Sequence, residues 1–234
     1  MVTKSQEHNR PETRERLCGV GEVLPGHFHP ESLLVDMLVL DKSCSMEEEG
    51  FKAGMKKKEI LHKAVSGYFA RKLQTRQTDM VGMVLFDHDR VVPCSPSNIC
   101  TGYDALIQSA GQLMKPLHGG TDMGPALLAA LKDLESLGFL SRQSPFFCRV
   151  IVFSDGWTSY RQQAIGQARA LHDRGVLVES LGLGQTPSDV DEELLKNVAT
   201  TDEDGFTHYS FLGDSESLLT TFERMALASL TWEG

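Results

Sequence analysis

The sequence contains no run of eighteen or more apolar residues, so we expect no transmembrane helix and no membrane partner. Its first residues, "MVTKSQEHNRPETRERLC", lack the apolar stretch of a secretory signal, which favours a cytoplasmic location. Positive charge is also scarce: 23 lysines and arginines face 32 aspartates and glutamates, for a formal net charge of −9. Because nucleic-acid binding requires clustered positive charge, we expect no nucleic-acid partner.

Motifs of several enzyme classes are missing as well. The five cysteines form no C-x-x-C pair, which disfavours a zinc ribbon or a thioredoxin-like redox site. No stretch has the pattern G-x-x-x-x-G-K-[ST], so the chain cannot hydrolyse ATP with a P-loop. No cysteine is followed by arginine at the C-x5-R spacing of one phosphatase class.

What the sequence does contain is an alternation of apolar runs and amphipathic helix patterns. This alternation predicts an α/β fold with a doubly wound, mostly parallel central sheet and helices on both faces. Val91 and Val92 follow a tight acidic turn and predict one antiparallel edge strand, since Pro93 fits only at an edge. Strand patterns lie at 33–40, 79–87, 147–155, 176–184 and 207–212, and helix patterns at 55–73, 101–114, 121–137, 159–175, 188–199 and 214–230.

The domain organisation follows from composition. Residues 1–30 are polar, rich in turn-forming residues, and predict an irregular N-terminal leader. Residues 31–234 contain no internal repeat and no low-complexity linker, so they predict one domain.

Hard oxygen groups follow three of the predicted elements. In "DKSCSM", Asp41, Ser43 and Ser45 occupy alternate positions after a buried strand, so their side chains project the same way. In "LHGGTDMG", Thr121 follows a glycine pair at a helix start, and in "SDGW", Asp155 ends a later strand. Ligands of open α/β sheets bind outside the carboxyl ends of the strands, where these residues lie.

Two carboxylates and three hydroxyls form an all-oxygen ligand set, hereafter the oxygen set: Asp41, Ser43, Ser45, Thr121 and Asp155. Such ligands suit Mg²⁺, and Mn²⁺ accepts the same groups. The D-x-S-x-S pattern alone is weak evidence, because aspartate and serine also form turns and helix caps. The combination with G-G-T at a helix start and D-G at a strand end is much more specific.

Three stretches resemble the metal-ion-dependent adhesion site of the von Willebrand factor type A domain: "DKSCSM", "GGTDMGPAL" and "VIVFSDG". The resemblance covers roughly residues 33–230. It implies that the oxygen set binds one Mg²⁺ or Mn²⁺ and that a carboxylate of a partner protein fills the open coordination position. It also implies a non-enzymatic protein–protein interaction module.

The sequence departs from this family at Cys44, where the family most often has glycine, and at the adjacent Lys42. Cysteine is small, so we expect a modest conformational cost. A catalytic role for Cys44 is disfavoured, because no residue pattern indicates the groups that would lower its pKa. The acidic stretch "EEEGFKAG" at 47–54 is longer than the family leads us to expect, and its acids either lie near the metal rim or are simply solvated.

Two alternative functions stay open from the sequence. One is a Mg²⁺-dependent phosphatase-like hydrolase with Asp41 as nucleophile, although Ser43 stands where that chemistry needs a second acid. The other is a scaffold subunit beside a separately encoded ATPase, as in chelatase-type assemblies of the family.

Two further residues are candidates for partner contact. Trp157 follows the D-G pair, and an exposed tryptophan there would anchor an interface, whereas packing against its own helix is the alternative. His118 precedes the glycine pair and lies on the same predicted rim, where an ordinary loop histidine is the alternative.

Overall fold

The computed structural model describes residues 33–50, 54–88, 91–115 and 119–227. The predicted leader, 1–30, lies outside these ranges. Within them are eight strands: β1 Leu33–Asp41, β2 Glu49–Gly50, β3 Met55–Lys56, β4 Met80–Phe86, β5 Val91–Asn98, β6 Phe146–Ser154, β7 Leu177–Leu183 and β8 Tyr209–Leu212. The six α-helices of the described ranges are α1 Lys57–Thr75, α2 Ile99–Ala110, α3 Met123–Ser136, α4 Arg161–His172, α5 Glu192–Val198 and α6 Ser215–Leu227.

Six strands form one central sheet in the order β5-β4-β1-β6-β7-β8. All neighbours pair in parallel except β4 and β5, which are antiparallel, so β5 is the edge strand that Pro93 indicated. The predicted doubly wound, mostly parallel sheet with one antiparallel edge is therefore confirmed. β5 extends to Asn98 and also includes Pro96, which an edge strand tolerates.

Helices cover both faces of the sheet and bury two separate apolar clusters. On one face, Leu38 of β1 belongs to a cluster with Phe69 of α1 and Phe222 of α6. On the other face, Val39 belongs to a cluster with Leu127 of α3. Alternate β1 residues thus face opposite cores, which explains why the strand reads as a continuous apolar run. Within the described residues, no helix has both the length and the apolar character needed to cross a membrane.

The six helices begin one to four residues from their predicted starts, and at two of them a local cap fixes the start. α2 begins at Ile99, where the Asn98 side chain accepts a hydrogen bond from the N–H of Cys100 at 3.0 Å. α5 begins only at Glu192, where Asp191 accepts from the N–H of Leu194 at 3.1 Å. The acidic stretch after β1 also differs from a simple loop, because Glu49 pairs with Lys56 in a short antiparallel ribbon of β2 and β3.

Candidate functional site

Asp41 lies buried at the carboxyl end of β1. Its Oδ1 accepts a hydrogen bond from the N–H of Ser43 at 2.8 Å, and its Oδ2 accepts one from the Ser154 hydroxyl at 2.6 Å. The second bond follows from the strand register: Leu40 pairs with Phe153, so the next residues, Asp41 and Ser154, lie side by side. Asp41 is therefore held by its own loop and by the adjacent strand.

The loop after β1 brings the two serines together. The hydroxyls of Ser43 and Ser45 lie 3.0 Å apart, as their alternate spacing predicted. Cys44 begins a 3-10 turn, a conformation that does not require glycine, and its side chain is exposed. Its N–H donates to the carbonyl oxygen of Gly119 at 3.2 Å, which joins this loop to the loop that carries Thr121.

Thr121 precedes α3, and the cap of that helix is the neighbouring Asp122, whose side chain accepts from the N–H of Gly124 at 3.3 Å. The Thr121 hydroxyl is thus not used for capping, and the residues that the structure describes provide it with no hydrogen-bond partner. Its side chain is nevertheless only 8% exposed. The Thr121 hydroxyl is therefore available to a ligand at this position.

Asp155 follows β6 and is also buried. Its Oδ1 accepts from the N–H of Trp157 at 3.2 Å. Gly156 makes this turn possible: its φ is +79°, and an added Cβ would lie 3.0 Å from Cγ of Leu195. The D-G pair is therefore needed to direct the Asp155 carboxylate toward the strand ends.

The Asp155 carboxylate disfavours the charged form of Asp41. Burial and then the nearby Asp155 carboxylate raise the pKa of Asp41 to about 7, against the hydrogen bonds from Ser154 and Ser43. No lysine or arginine of the described ranges forms an ion pair with either carboxylate. A buried pair of acids without a counter-charge is the electrostatic arrangement that a bound cation would stabilise.

The donor chemistry fits a hard divalent cation. Among the described residues there is no cluster of three or more histidine, cysteine, aspartate or glutamate side chains, the usual basis of a zinc site. The oxygen set instead offers two carboxylates and three hydroxyls. Four of its members line one groove of about 680 Å³, and the fifth, Asp41, is hydrogen-bonded to Ser43 behind it. Mg²⁺ and Mn²⁺ prefer such oxygen ligands.

The two predicted partner-contact residues have different outcomes. Trp157 lines the same groove and is 56% exposed, so it lies beside Asp155 with an accessible ring and is not packed away against a helix. His118 lies outside the described residues. Glu48 and Glu49 of the acidic stretch 47–54 line the groove, which was one of the two alternatives from the sequence. The sequence reasoning missed Ser154, although it is the polar residue at the end of the run "VIVFS", and missed the groove residues of the turn Pro187–Asp189.

Comparison with known proteins agrees with this architecture. The family described as von Willebrand factor type A domain matches residues 37–224, most of the chain. No curated protein matches the sequence.

Solved structures of low identity share the fold. The pilus adhesin SpaC from Lactobacillus rhamnosus GG superposes with a TM-score of 0.67 at 14% identity, over 85% of this chain and 31% of the adhesin. The manganese-loaded TRAP protein of Plasmodium vivax superposes with a TM-score of 0.59 at 20% identity, over 85% of this chain and 74% of the TRAP chain. The SpRpn10 VWA domain superposes with a TM-score of 0.60 at 15% identity, over 81% of this chain and 93% of that domain. This chain spans about a third of the adhesin's length. From the match over residues 37–224, together with the sheet order and the arrangement at its carboxyl edge, the chain belongs to the von Willebrand factor type A domain family.

Proposed function

We propose that this protein is a metal-dependent interaction module that binds one Mg²⁺ or Mn²⁺ through the oxygen set and captures a carboxylate of a partner protein. The observation that carries the proposal is the pair of buried carboxylates, Asp41 and Asp155, which face each other without a described counter-charge. The manganese-loaded state of TRAP, a structural neighbour, supports a divalent cation as the bound ion.

The protein's own groups have separate tasks in this proposal. Ser154 and the N–H of Ser43 fix the Asp41 carboxylate, and the N–H of Trp157 fixes that of Asp155. The three hydroxyls of the set line the groove. Because a hydroxyl is neutral, it would bind the cation without adding to the negative charge of the two carboxylates. A bound divalent cation would supply a positive charge with an open coordination position for an incoming carboxylate. The cation, and not the chain, would then provide the attraction for an acidic partner.

The geometry argues against the phosphatase-like alternative. A nucleophilic aspartate needs an accessible oxygen, whereas Asp41 is fully buried and both its oxygens accept hydrogen bonds. The chelatase-type scaffold and an ATPase partner stay predictions from the family resemblance, as does a cytoplasmic location.

Titration calorimetry with MgCl₂ and MnCl₂ tests the metal site. We expect saturable one-site binding to the wild-type chain and its loss in Asp41→Ala/Asp155→Ala. The exposed Asp104 of α2 provides a control, because Asp104→Ala removes a carboxylate that does not line the groove of the oxygen set and should leave binding unchanged. Absence of binding to the wild-type protein, or equal binding to the double variant, would overturn the proposal.

A further inference from the structure

The groove beside the oxygen set has a second wall with a different chemical character. Three acidic residues line it, hereafter the acidic rim: Glu48, Glu49 and Asp189. They come from the segment after β1 and from the turn before α5, so the fold brings together two distant parts of the chain. The groove volume of about 680 Å³ lies within the range of roughly 300–1,000 Å³ typical of ligand sites.

The charge of this wall is mostly uncompensated. Lys57 is the one basic side chain among the described groove residues, and its Nζ lies 3.3 Å from Oε2 of Glu48. Glu49 is exposed, and the described residues give its carboxylate no partner. Asp189 accepts a hydrogen bond from the N–H of Thr186 at 2.7 Å, which, as the largest cause, holds its pKa below the usual value. At neutral pH the rim therefore carries an excess of negative charge.

Trp157 lies between the oxygen set and the acidic rim. Its backbone N–H donates to Asp155, and its indole Nε1 donates to the carbonyl oxygen of Asp189 at 2.9 Å. Because the single polar atom of the indole is already bonded, the exposed ring offers only its faces to a ligand. A guanidinium or ammonium group stacks favourably on such a face, and arginine does so best because it is planar and weakly hydrated.

The Thr121 hydroxyl, a member of the oxygen set, is available to a ligand in this groove. Its side chain is 8% exposed, lines the groove, and has no hydrogen-bond partner within the described residues. The groove thus combines the oxygen set at one end with an aromatic face and acids in excess of their counter-charge at the other.

We propose that the partner segment is dipolar: it presents a carboxylate to the oxygen set and, within about three residues, an arginine or lysine to Trp157 and the acidic rim. This inference rests on the proposed function and specifies its partner. An acidic residue with neutral or acidic neighbours would meet the rim's repulsion, and like charges brought together across an interface are strongly disfavoured. The basic neighbour converts that repulsion into attraction and so selects among carboxylates.

A displayed library of random seven-residue peptides tests the inference on the full chain. Selection is carried out in MnCl₂ and, in parallel, in EDTA. We expect the manganese-dependent peptides to contain aspartate or glutamate with arginine or lysine within three positions. Peptides that match this pattern should bind Glu49→Gln about threefold to tenfold more weakly, because one rim charge is lost.

Two variants complete the design. Glu203→Gln makes the same change of charge at an exposed position that follows α5, near the amino-terminal end of the sheet, and should leave peptide affinity unchanged. Trp157→Ala should weaken the arginine-containing peptides more than matched peptides in which arginine is replaced by alanine, which a general loss of folding would not do.

Manganese-dependent peptides whose acidic residue has neutral or acidic neighbours would overturn this inference and leave the proposed function intact. Equal affinity for wild type and Glu49→Gln would also overturn it. Calorimetry on the same protein separates the two failures: absence of manganese binding overturns the proposed function, whereas manganese binding without metal-dependent peptide selection overturns the partner inference.

Discussion

Strand β1 contains two fully buried aspartates, Asp36 in its middle and Asp41 at its carboxyl end. Asp36 is surrounded by cations: Arg149 Nε lies 2.7 Å from its Oδ1, and Lys72 Nζ lies 2.8 Å from its Oδ2. Tyr68 also donates a hydrogen bond to it. Asp41 receives hydrogen bonds but has another carboxylate, Asp155, as its charged neighbour.

The pKa values of the two carboxyl groups shift in opposite directions. Burial alone raises the pKa of a carboxyl group, and it does so for Asp36, yet Arg149 and Lys72 together hold the pKa of Asp36 well below its usual value. At Asp41 the hydrogen bonds from Ser154 and Ser43 offset burial and the Asp155 charge only in part, so the pKa of Asp41 rises to about 7. The comparison separates two uses of a buried acid: a balanced ion pair that belongs to the fold, and an unbalanced pair that awaits a ligand.

The balanced site extends well beyond Asp36. Arg149 also contacts Glu179 at 3.1 Å and donates to the carbonyl oxygen of Met225 in α6 at 3.0 Å. Lys72 also contacts Asp79 at 2.5 Å. This cluster joins three neighbouring strands and two helices, so its charges are structural.

The largest effect is expected from Arg149→Met, which breaks the balanced site. Two buried carboxylates then lose their main partner, and we expect the free energy of unfolding to fall by about 3–5 kcal/mol. Urea denaturation measures the change. The matched control is Arg174→Met, which removes a surface ion pair with Glu135 and should cost less than about 1 kcal/mol. Similar costs for the two variants would contradict a structural role for the cluster.

Asp41→Asn should raise the free energy of unfolding of the metal-free protein, whereas Arg149→Met should lower it. An unfolded aspartate has a pKa of about 3.9, whereas folded Asp41 titrates near 7, so the folded state holds this proton more tightly. The penalty of ionised Asp41 is thus absent below about pH 4 and complete above about pH 7, and stability falls as pH rises between them. In EDTA at pH 8 we expect Asp41→Asn to stabilise the protein by on the order of 2–4 kcal/mol.

Asp36→Asn is the contrasting variant for that experiment. The pKa of Asp36 is depressed, so its contribution to stability is present above about pH 4 and is lost on acidification. Urea denaturation at pH 5 and pH 8 should show Asp36→Asn destabilised at both values, and Asp41→Asn with a larger gain at pH 8. Destabilisation of both variants at pH 8 would mean that a positive charge balances Asp41, as Arg149 and Lys72 balance Asp36.

Metal should remove the difference between the two sites. At a free Mn²⁺ concentration about 100 times the dissociation constant, a ligand that binds only the folded state adds about 2.7 kcal/mol to the free energy of unfolding. We expect this gain in the wild-type protein and in Asp36→Asn, provided that the latter is folded, and not in Asp41→Asn. Thermal unfolding with and without MnCl₂ measures it. A gain in Asp41→Asn equal to that of wild type would place the metal elsewhere.

The sequence predicted much of this arrangement because its apolar strand runs and its amphipathic helix patterns were clear. Strands β1, β4, β6 and β7 lie close to their predicted positions and are buried apart from their first residues. The helical stripe of α1 through Phe69 and the apolar face of α3 through Leu134 are also buried, as their spacing predicted. The oxygen set could be proposed because each member stands next to a strand end or a helix start. Adjacency along the chain was enough there.

Contacts between distant segments could not be predicted in this way. Asp36 and Arg149 lie inside apolar runs 113 positions apart, and only the register of β1 with β6 shows that they pair. A position near the rim for Glu48 and Glu49 was one of two alternatives from the sequence, but the contribution of Asp189 required knowing that the β2–β3 ribbon and the turn before α5 meet. Ser154 belongs to the same class, since its contact with Asp41 depends on that register.

Ser154 therefore provides the smallest and most specific test of the comparison. Its hydroxyl donates to Asp41 and also accepts from the N–H of Gly156 at 2.9 Å. Ser154→Ala removes a donor that favours the ionised carboxylate, so the pKa of Asp41 should rise further. In EDTA we expect the free energy of unfolding to fall by about 1 kcal/mol at pH 8 and by less at pH 5, where Asp41 is protonated.

Ser180→Ala is the control, because that buried hydroxyl donates to the neutral carbonyl of Leu195 and its loss should cost the same at both pH values. A pH-independent cost for Ser154→Ala would show that the Ser154 hydroxyl does not support the charge of Asp41.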